Sequence, residues 1–242
     1  MSAQTSSPVV LHLIPTPLGD NPIIEVLPIS IKKPIEALKH FIVENEKMAR
    51  RFIKKVAPNK NQNDLHLYPL NKYTTEEEQI NYLNPCLEGY SMGLLSDAGC
   101  PGVADPGAVI VSRAHQKGIT VKPHVGPSSI LLALMSSGMS GQSFAFNGYL
   151  PIDKKQRTQA LLKLQRLSLK EKQTQIFIET PYRNEALLQE ILKTLDPNTL
   201  LCIACDLTLS TEFISTSTVS QWKKRNVDLN KRPVIFLIEG SY

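Results

Sequence analysis

The sequence predicts a two-lobed α/β protein. Short apolar runs, too brief for helices, alternate with amphipathic segments along the whole chain, and 242 residues at 42% hydrophobic and 20% charged suffice to close one or two cores. The strand-to-helix corners are marked by proline and glycine. Proline outnumbers glycine 17 to 12, which implies stiff, sharply cornered connections. Ten of the glycines lie between Gly89 and Gly148, a 60-residue window with five formal charges (Asp97, Asp105, Arg113, Lys117, Lys122), and a ligand site is expected there.

Taken in order, Val9 to Ile14, Leu65 to Leu67, Met92 to Leu95 and Ile119 to Lys122 read as strands of the first lobe. Helices fit Lys47 to Val56, Thr75 to Leu83 and Pro106 to Lys117, and Thr75 with Glu78 has capping-box spacing. Asp105 is placed to cap the third helix, Pro106 suits its first turn, and Gly118 can end it in the left-handed conformation. Strand, loop, this helix and the next strand form a βαβ unit with a right-handed crossover. In the second lobe strands are expected at Phe144 to Tyr149, Gln175 to Glu179, Leu201 to Asp206, Glu212 to Val219 and Val234 to Glu239. Helices are expected at Gln156 to Leu167, Asn184 to Leu195 and Ser220 to Arg225. The first lobe, mostly parallel, takes residues 1–124 and the second, of mixed strands, takes 125–242, with the seam near Pro123 to Pro127.

Charge and cysteine usage narrow the function. A net charge of +5 is a mild excess, gathered at Lys47 to Lys60, at Lys154 to Lys172, at Lys223 to Arg225 and at Lys231-Arg232. Each cluster reads either as a solvated helix face or as a surface for phosphate, and aromatic residues for base stacking are sparse at 6%. Cys202 and Cys205 spell C-x-x-C inside a run that reads as a buried strand, where residues i and i+3 face opposite ways. A core role fits them better than a metal or redox pair, and the five scattered histidines offer no metal-binding spacing. Neither a signal peptide nor a membrane span is apparent, so a soluble cytoplasmic protein without metal or membrane partner is expected.

Three corners of small, uncharged residues stand at strand ends: Ile14-Pro-Thr-Pro-Leu-Gly19, Ser96-Asp-Ala-Gly-Cys-Pro-Gly-Val-Ala-Asp-Pro-Gly107 and Val125-Gly-Pro-Ser-Ser129. Each is an ordinary turn when taken singly, but together they point to a small-molecule cleft, since such residues let a ligand approach the backbone. Ser128 or Ser129 can cap the following helix, Ile130 to Met135, which Gly138 can end. A P-loop needs Gly-Lys-Ser/Thr where Gly107 is followed by Ala-Val, and no Gly-x-Gly-x-x-Gly is present, so triphosphate and NAD readings lose their support.

These corners, followed by Phe146-Asn-Gly-Tyr-Leu-Pro151, Glu179-Thr-Pro-Tyr-Arg183 and Leu207-Thr-Leu-Ser-Thr-Glu212, occur in the order found in the tetrapyrrole methylase superfamily. Within it the chain most resembles the ribosomal small-subunit RNA methyltransferase I group, which methylates a cytidine 2′-hydroxyl of 16S rRNA. The resemblance implies S-adenosylmethionine (SAM) between two α/β lobes, a homodimer, and an rRNA or small-ribosomal-subunit acceptor. It places Pro17, Leu18, Gly99, Cys100, Gly102, Val103, Ser128, Ser129 and Thr180 around the cofactor, with Leu207, Pro233 and Val234 from the second lobe. Cys100 would contribute its backbone.

A hydroxyl acceptor must also lose a proton. Asp97, Asp105, Glu179, Asp206 and Glu212 are the carboxylates near motif ends; Asp105, Glu179 and Arg183 are the catalytic candidates, with Arg183 as a substrate clamp. Structural duties compete with each role, as in the capping reading of Asp105. The chain departs from the group's pattern at Glu44-Asn-Glu-Lys-Met-Ala-Arg50, where a carboxylate-Asp-Thr-Arg signature is usual. It also departs at Cys100, usually Thr, at Tyr182, usually His, and in the prolines 22, 28 and 34 after Gly19. A methyltransferase for a tetrapyrrole or other small metabolite, and a non-catalytic SAM- or RNA-binding module, remain as alternatives.

Overall fold

The computed structural model describes residues 8–240 and divides into two units, one ending at Pro127 and the other beginning at Ser128. The division follows Pro127 rather than residue 124. Gly126 packs on Pro15, and the Pro127 carbonyl accepts a hydrogen bond from the Cys100 thiol, which ties this segment to the first unit.

The first unit runs β1 (Val10–Ile14), α1 (Ile23–Val26), α2 (Lys32–Ala37), β2 (His40–Val43), α3 (Glu46–Val56), β3 (His66–Pro69), α4 (Glu76–Asn81), α5 (Asn84–Leu87), β4 (Met92–Leu95), α6 (Gly107–Gln116) and β5 (Thr120–Pro123). All five strands are parallel, in the order β3-β2-β4-β1-β5. Parallel neighbours need crossovers, and these cover both faces of the sheet. Ile35, Phe52 and Ile53 of α2 and α3 pack with Ile14, Phe41 and Leu95, whereas Cys86, Ile110 and Ala114 of α5 and α6 pack with Leu11, Ile42 and Met92.

Three expectations change here. Strand β2, buried from Phe41 to Val43 and paired on both sides, was not expected. The helix expected over 75–83 ends at Asn81 and restarts as α5, because Pro85 has no N–H with which to continue the ladder. The residue flanking α6 is Pro106, with Asp105 acting from one position further out. The capping box at Thr75 and Glu78 is present.

The second unit runs α7 (Ser129–Ser137), β6 (Phe144–Tyr149), α8 (Lys154–Glu171), β7 (Thr174–Ile178), α9 (Asn184–Thr194), β8 (Leu200–Cys205), β9 (Phe213–Thr218), α10 (Val219–Trp222) and β10 (Val234–Glu239). Its sheet is ordered β6-β7-β10-β8-β9, parallel only between β6 and β7. Leu161, Leu164, Leu187, Ile191 and Trp222 of α8, α9 and α10 cover Phe177, Ile203 and Phe236, while α7 lies against β8, β9 and β10. Cys205 belongs to the first of these clusters, and Cys202, buried three residues earlier on β8, faces the other way.

Helix α8 outruns the expected Gln156 to Leu167 at both ends. The Asp153 side chain accepts the Gln156 N–H at 2.9 Å, and Lys172 closes the helix at φ +49° without a glycine. Among the described residues no helix is long and apolar enough to cross a membrane.

Candidate functional site

The first unit gathers the first two sequence corners and the Val125 to Pro127 part of the third. Neighbouring strands β1 and β4 run into two of them, and a backbone bridge laces these together: the Thr16 N–H donates to the Gly99 carbonyl at 3.0 Å and the Gly99 N–H returns to the Thr16 carbonyl at 3.1 Å. Thr16 Oγ1 donates to the Ser96 carbonyl at 3.2 Å, and Ser96 Oγ to the Gly99 carbonyl at 3.1 Å. Gly102 follows at φ +82°, a conformation that L side chains rarely adopt. Its N–H and that of Gly107, the first residue of α6, both donate to Asp105 Oδ1, at 2.8 and 2.7 Å. Burial raises the Asp105 carboxyl above the ordinary carboxylate range, and these two donors offset part of that rise.

The third corner closes on the first. A Cβ on Gly126 would lie 2.3 Å from Pro15 Cβ, so only glycine permits this contact. Cys100 Sγ donates to the Pro127 carbonyl at 3.3 Å, and burial pushes its thiol up, so it serves as a neutral donor and not as a nucleophile. Val103 is left 48% exposed beside Gly102, and Pro17 and Leu18 line a pocket of about 290 Å³. Ser96 to Ala98, Met48 and Phe52 complete its wall, with Asp20 bridging Arg51 at 3.2 Å and Lys55 at 2.5 Å.

Sheet topology adds a residue that the sequence reading passed over as a candidate. The connection after β2 leaves toward β3 and the one after β4 leaves toward β5 on the opposite side, which makes the β2/β4 boundary the point of divergence where open α/β sheets bind ligands. Glu44 follows β2 directly, and its Oε1 accepts the Asp97 N–H at 2.8 Å. Burial raises the Glu44 carboxyl, and Asp105 and Asp97 raise it further. A carboxylate directly after an apolar run was the available signal, but it becomes informative only once β2 is known to lie beside β4.

In the second unit Ser128 Oγ caps α7 by accepting the Leu131 N–H at 3.4 Å, Ser129 opens the helix, and Gly138 ends it at φ +72°. The Glu179 carboxylate, buried after β7, accepts the Thr180 N–H at 2.6 Å and Arg183 Nη2 at 2.7 Å. Asp206 takes φ +51° just past β8, and its Oδ2 accepts Thr211 Oγ1 and Arg232 Nε, each at 2.8 Å. The Asp206 N–H donates to the Pro233 carbonyl at 3.0 Å, the Thr208 N–H donates to Glu212 Oε2 at 2.7 Å, and Leu207 between them is buried. Val234 pairs with Cys205 at the start of β10. Asp105, Glu179 and Arg183 thus each hold a turn of their own chain. Asp97 contributes its N–H to that framework, and its carboxyl is raised above the ordinary range by burial, an effect that the Asn45 backbone N–H partly offsets.

A parallel five-stranded sheet with glycine corners at its carboxyl ends, followed by a mixed five-stranded sheet, is the fold of the tetrapyrrole methylases. Solved structures agree: the methyltransferase CobJ covers 97% of this chain and 95% of its own at a TM-score of 0.64 and 15% identity. A diphthine synthase covers 96% and 90% at 0.69 and 12%, and the cobalt precorrin-4 methyltransferase CbiF covers 95% and 94% at 0.61 and 14%. No protein-family model matches the chain. Curated relatives do: the ribosomal RNA small subunit methyltransferase I of Halalkalibacterium halodurans is 30% identical over 213 residues, 87% of this chain and 68% of its own. That of Buchnera aphidicola from Schizaphis graminum is 29% identical over 96% and 78%, and that of Vibrio cholerae is 31% identical over 72% of this chain, which spans 60% of the Vibrio protein. The chain belongs to the ribosomal RNA small subunit methyltransferase I family.

Proposed function

We propose that this chain is an SAM-dependent methyltransferase that acts on the ribose 2′-hydroxyl of small-subunit rRNA, in the cytoplasm. The observation that carries this reading is the laced corner of the first unit, Thr16 to Gly99 to Gly102, in a member of this family. The residues present suit the cofactor. Gly99 at φ +81° and Gly102 at φ +82° clear the backbone of side chains, and Val103 offers an exposed apolar surface for a flat ring. Pro17, Leu18, Gly99, Cys100, Gly102 and Val103 would hold SAM from the first unit, and the family resemblance adds Ser128, Ser129, Thr180, Leu207, Pro233 and Val234. SAM supplies a methyl group activated by its sulfonium.

Transfer to a neutral oxygen disperses positive charge, so corners without cationic side chains do not oppose it, and rigid positioning supplies much of the acceleration. The backbone bridge and the Asp105 clamp provide that rigidity. The same framework leaves Asp97, on an exposed residue with the Asn45 backbone N–H as its donor, as a candidate to receive the acceptor's proton, whereas Asp105 holds two backbone donors and buried Glu179 holds the Thr180 N–H and Arg183.

Calorimetry with SAM and label transfer from methyl-tritiated SAM to 30S subunits test the reading together. Saturable SAM binding and alkali-resistant label on 16S rRNA are expected. Label on uroporphyrinogen but not on 30S subunits would replace the substrate, and absence of SAM binding at millimolar concentration would overturn the enzyme.

A further inference from the structure

The basic clusters are not equivalent once their side chains are followed. On α3, Arg51 and Lys55 are paired with Asp20, and Arg50 and Lys54 donate to the carbonyls of Gln62 and Pro58, with Lys60 beyond the helix donating to that of Glu36. Near the C-terminus Arg225 lies over Trp222 and Arg232 binds Asp206. Helix α8 differs. At about 100° per residue, Lys155, Lys163, Arg166 and Lys170 fall within roughly 80° of arc, on the side away from buried Leu161, Leu164 and Ser168, and all four are exposed. The stripe is about 22 Å long at about 1.5 Å per residue. Gln159 is its one neutral member, and the helix carries a single acid, Glu171, paired with Lys170 at its end.

A helix face that serves solubility alone interleaves acids with bases, because like charges at i+3 and i+4 repel. Lys163, Arg166 and Lys170 are set three and four apart with no acid among them. Arg157, the cation near the core side, is instead neutralised by Glu190 at 2.6 Å. The chain therefore pairs Arg157 with a largely buried acid and, among the described residues, leaves Lys155, Lys163 and Arg166 of this row in solvent without an acidic partner, with Lys170 alone paired at the helix end.

We propose that the outer face of α8 is an RNA-docking surface that tracks the phosphodiester backbone of the rRNA acceptor. This rests on the rRNA methyltransferase reading. A duplex strand carries a phosphate about every 3.4 Å of axis, so the stripe spans on the order of six phosphates without reading any base. Its four cations match such a backbone in sign and in linear form, whereas base stacking has no means here, since the stripe holds no aromatic residue.

The test compares the full chain with the triple variant Lys163→Gln, Arg166→Gln, Lys170→Gln, and with a control of equal charge change, Lys33→Gln, Lys117→Gln, Lys193→Gln, drawn from exposed positions elsewhere. Binding to protein-free 16S rRNA is measured across salt concentrations, alongside SAM affinity and methyl transfer to 30S subunits. The α8 triple should flatten the slope of log K against log salt by about 2 to 3 and weaken binding roughly 100-fold at 0.1 M salt. It should raise KM for the RNA with kcat and SAM affinity unchanged, and the control should match the parent. An α8 triple with the parent's slope, or a control that flattens it equally, overturns the docking surface while leaving the methyltransferase intact. A parent chain that methylates neither 16S rRNA nor 30S subunits removes the rRNA reading, and the docking surface with it.

Discussion

Asp105 distinguishes a clamp from a catalyst. Its Oδ1 holds the Gly102 and Gly107 N–H groups at 2.8 and 2.7 Å, and Gly107 is buried. Asp105→Ala leaves both donors without this acceptor, and an orphaned buried donor costs about 1–3 kcal/mol. Gly102 is half-buried and can recover part of its loss from water, so a total of about 2–4 kcal/mol is expected. In a unit of this size that lowers Tm by on the order of 10 °C. Asp105→Asn keeps the accepting oxygen. The carboxyl is raised by burial, so its ionised form is already disfavoured in the fold, and a neutral acceptor avoids that cost. Against this stands the lost attraction to the N-terminus of α6, about 0.3–1 kcal/mol. The Asn variant should therefore stay within about 1 kcal/mol of the parent and keep its SAM affinity and turnover. Thermal melting followed by calorimetry with SAM reads both quantities. An Asn variant that melts as low as the Ala variant would refute the clamp argument. One that melts normally but loses turnover would return Asp105 to the chemistry.

Gly126→Ala places a methyl 2.3 Å from Pro15 Cβ and 2.7 Å from Pro15 Cγ, against a ring that cannot rotate away. A loss of about 1–3 kcal/mol in chemical denaturation and weaker SAM binding are expected, and parental values for both would contradict the packing. Glu190→Ala strips the acceptor from Arg157 Nε at 2.7 Å and Thr158 Oγ1 at 2.7 Å in a largely buried network, which should cost about 3–5 kcal/mol. Leu at both 157 and 190 should recover most of it, and a double variant as unstable as the single one would show that the ion pair itself is required. His12 is pulled down to about 4 by burial and then by His124 and Lys122, and its Nδ1 lies 2.9 Å from His124 Nε2. Its folded value lies below its ordinary one, so the neutral pair's contribution is complete above pH 6.5 and is lost as pH falls from 6.5 toward 4. After discounting for solvent exposure the loss is about 1–2 kcal/mol. His12→Gln should flatten the fall in urea midpoint between pH 7 and pH 5, and an unchanged fall would assign it to other groups.

Local chemistry was legible where a residue announces its own conformation. Met92 to Leu95 and Phe144 to Tyr149 are strands with the expected ends, and Gly118 and Gly138 close their helices at φ +69° and +72°. Ser128 caps α7 as its position implied. Strand β2 was not legible, because His40 to Val43 follows the proline-rich approach with no turn residue to mark off its start. Its identity as a strand comes from pairing with β3 and β4, which no window of sequence contains. Glu44 was missed for the same reason. The order of the motifs along the chain identified the corners. Their mutual contacts, such as Gly126 on Pro15 across 111 positions of sequence, belong to the folded sheet alone.

The strand order of the first sheet also sets a timetable. β1 pairs with β4 and β5 and not with β2, so Leu11 meets Met92 and Val121, more than 80 residues downstream. On a ribosome adding about 5–20 residues per second, the nascent Val10 to Ile14 segment waits roughly 4–16 s before its first partner has been made. Such an apolar segment has no edge to rest on during that interval. β8 and β9, by contrast, are joined through a short connection and pair within the same stretch of chain. The half of the protein that carries the glycine corners is thus synthesised first but can join β1 to its sheet only after β4 is complete and close that sheet only with β5, so its first strand waits longest for a partner.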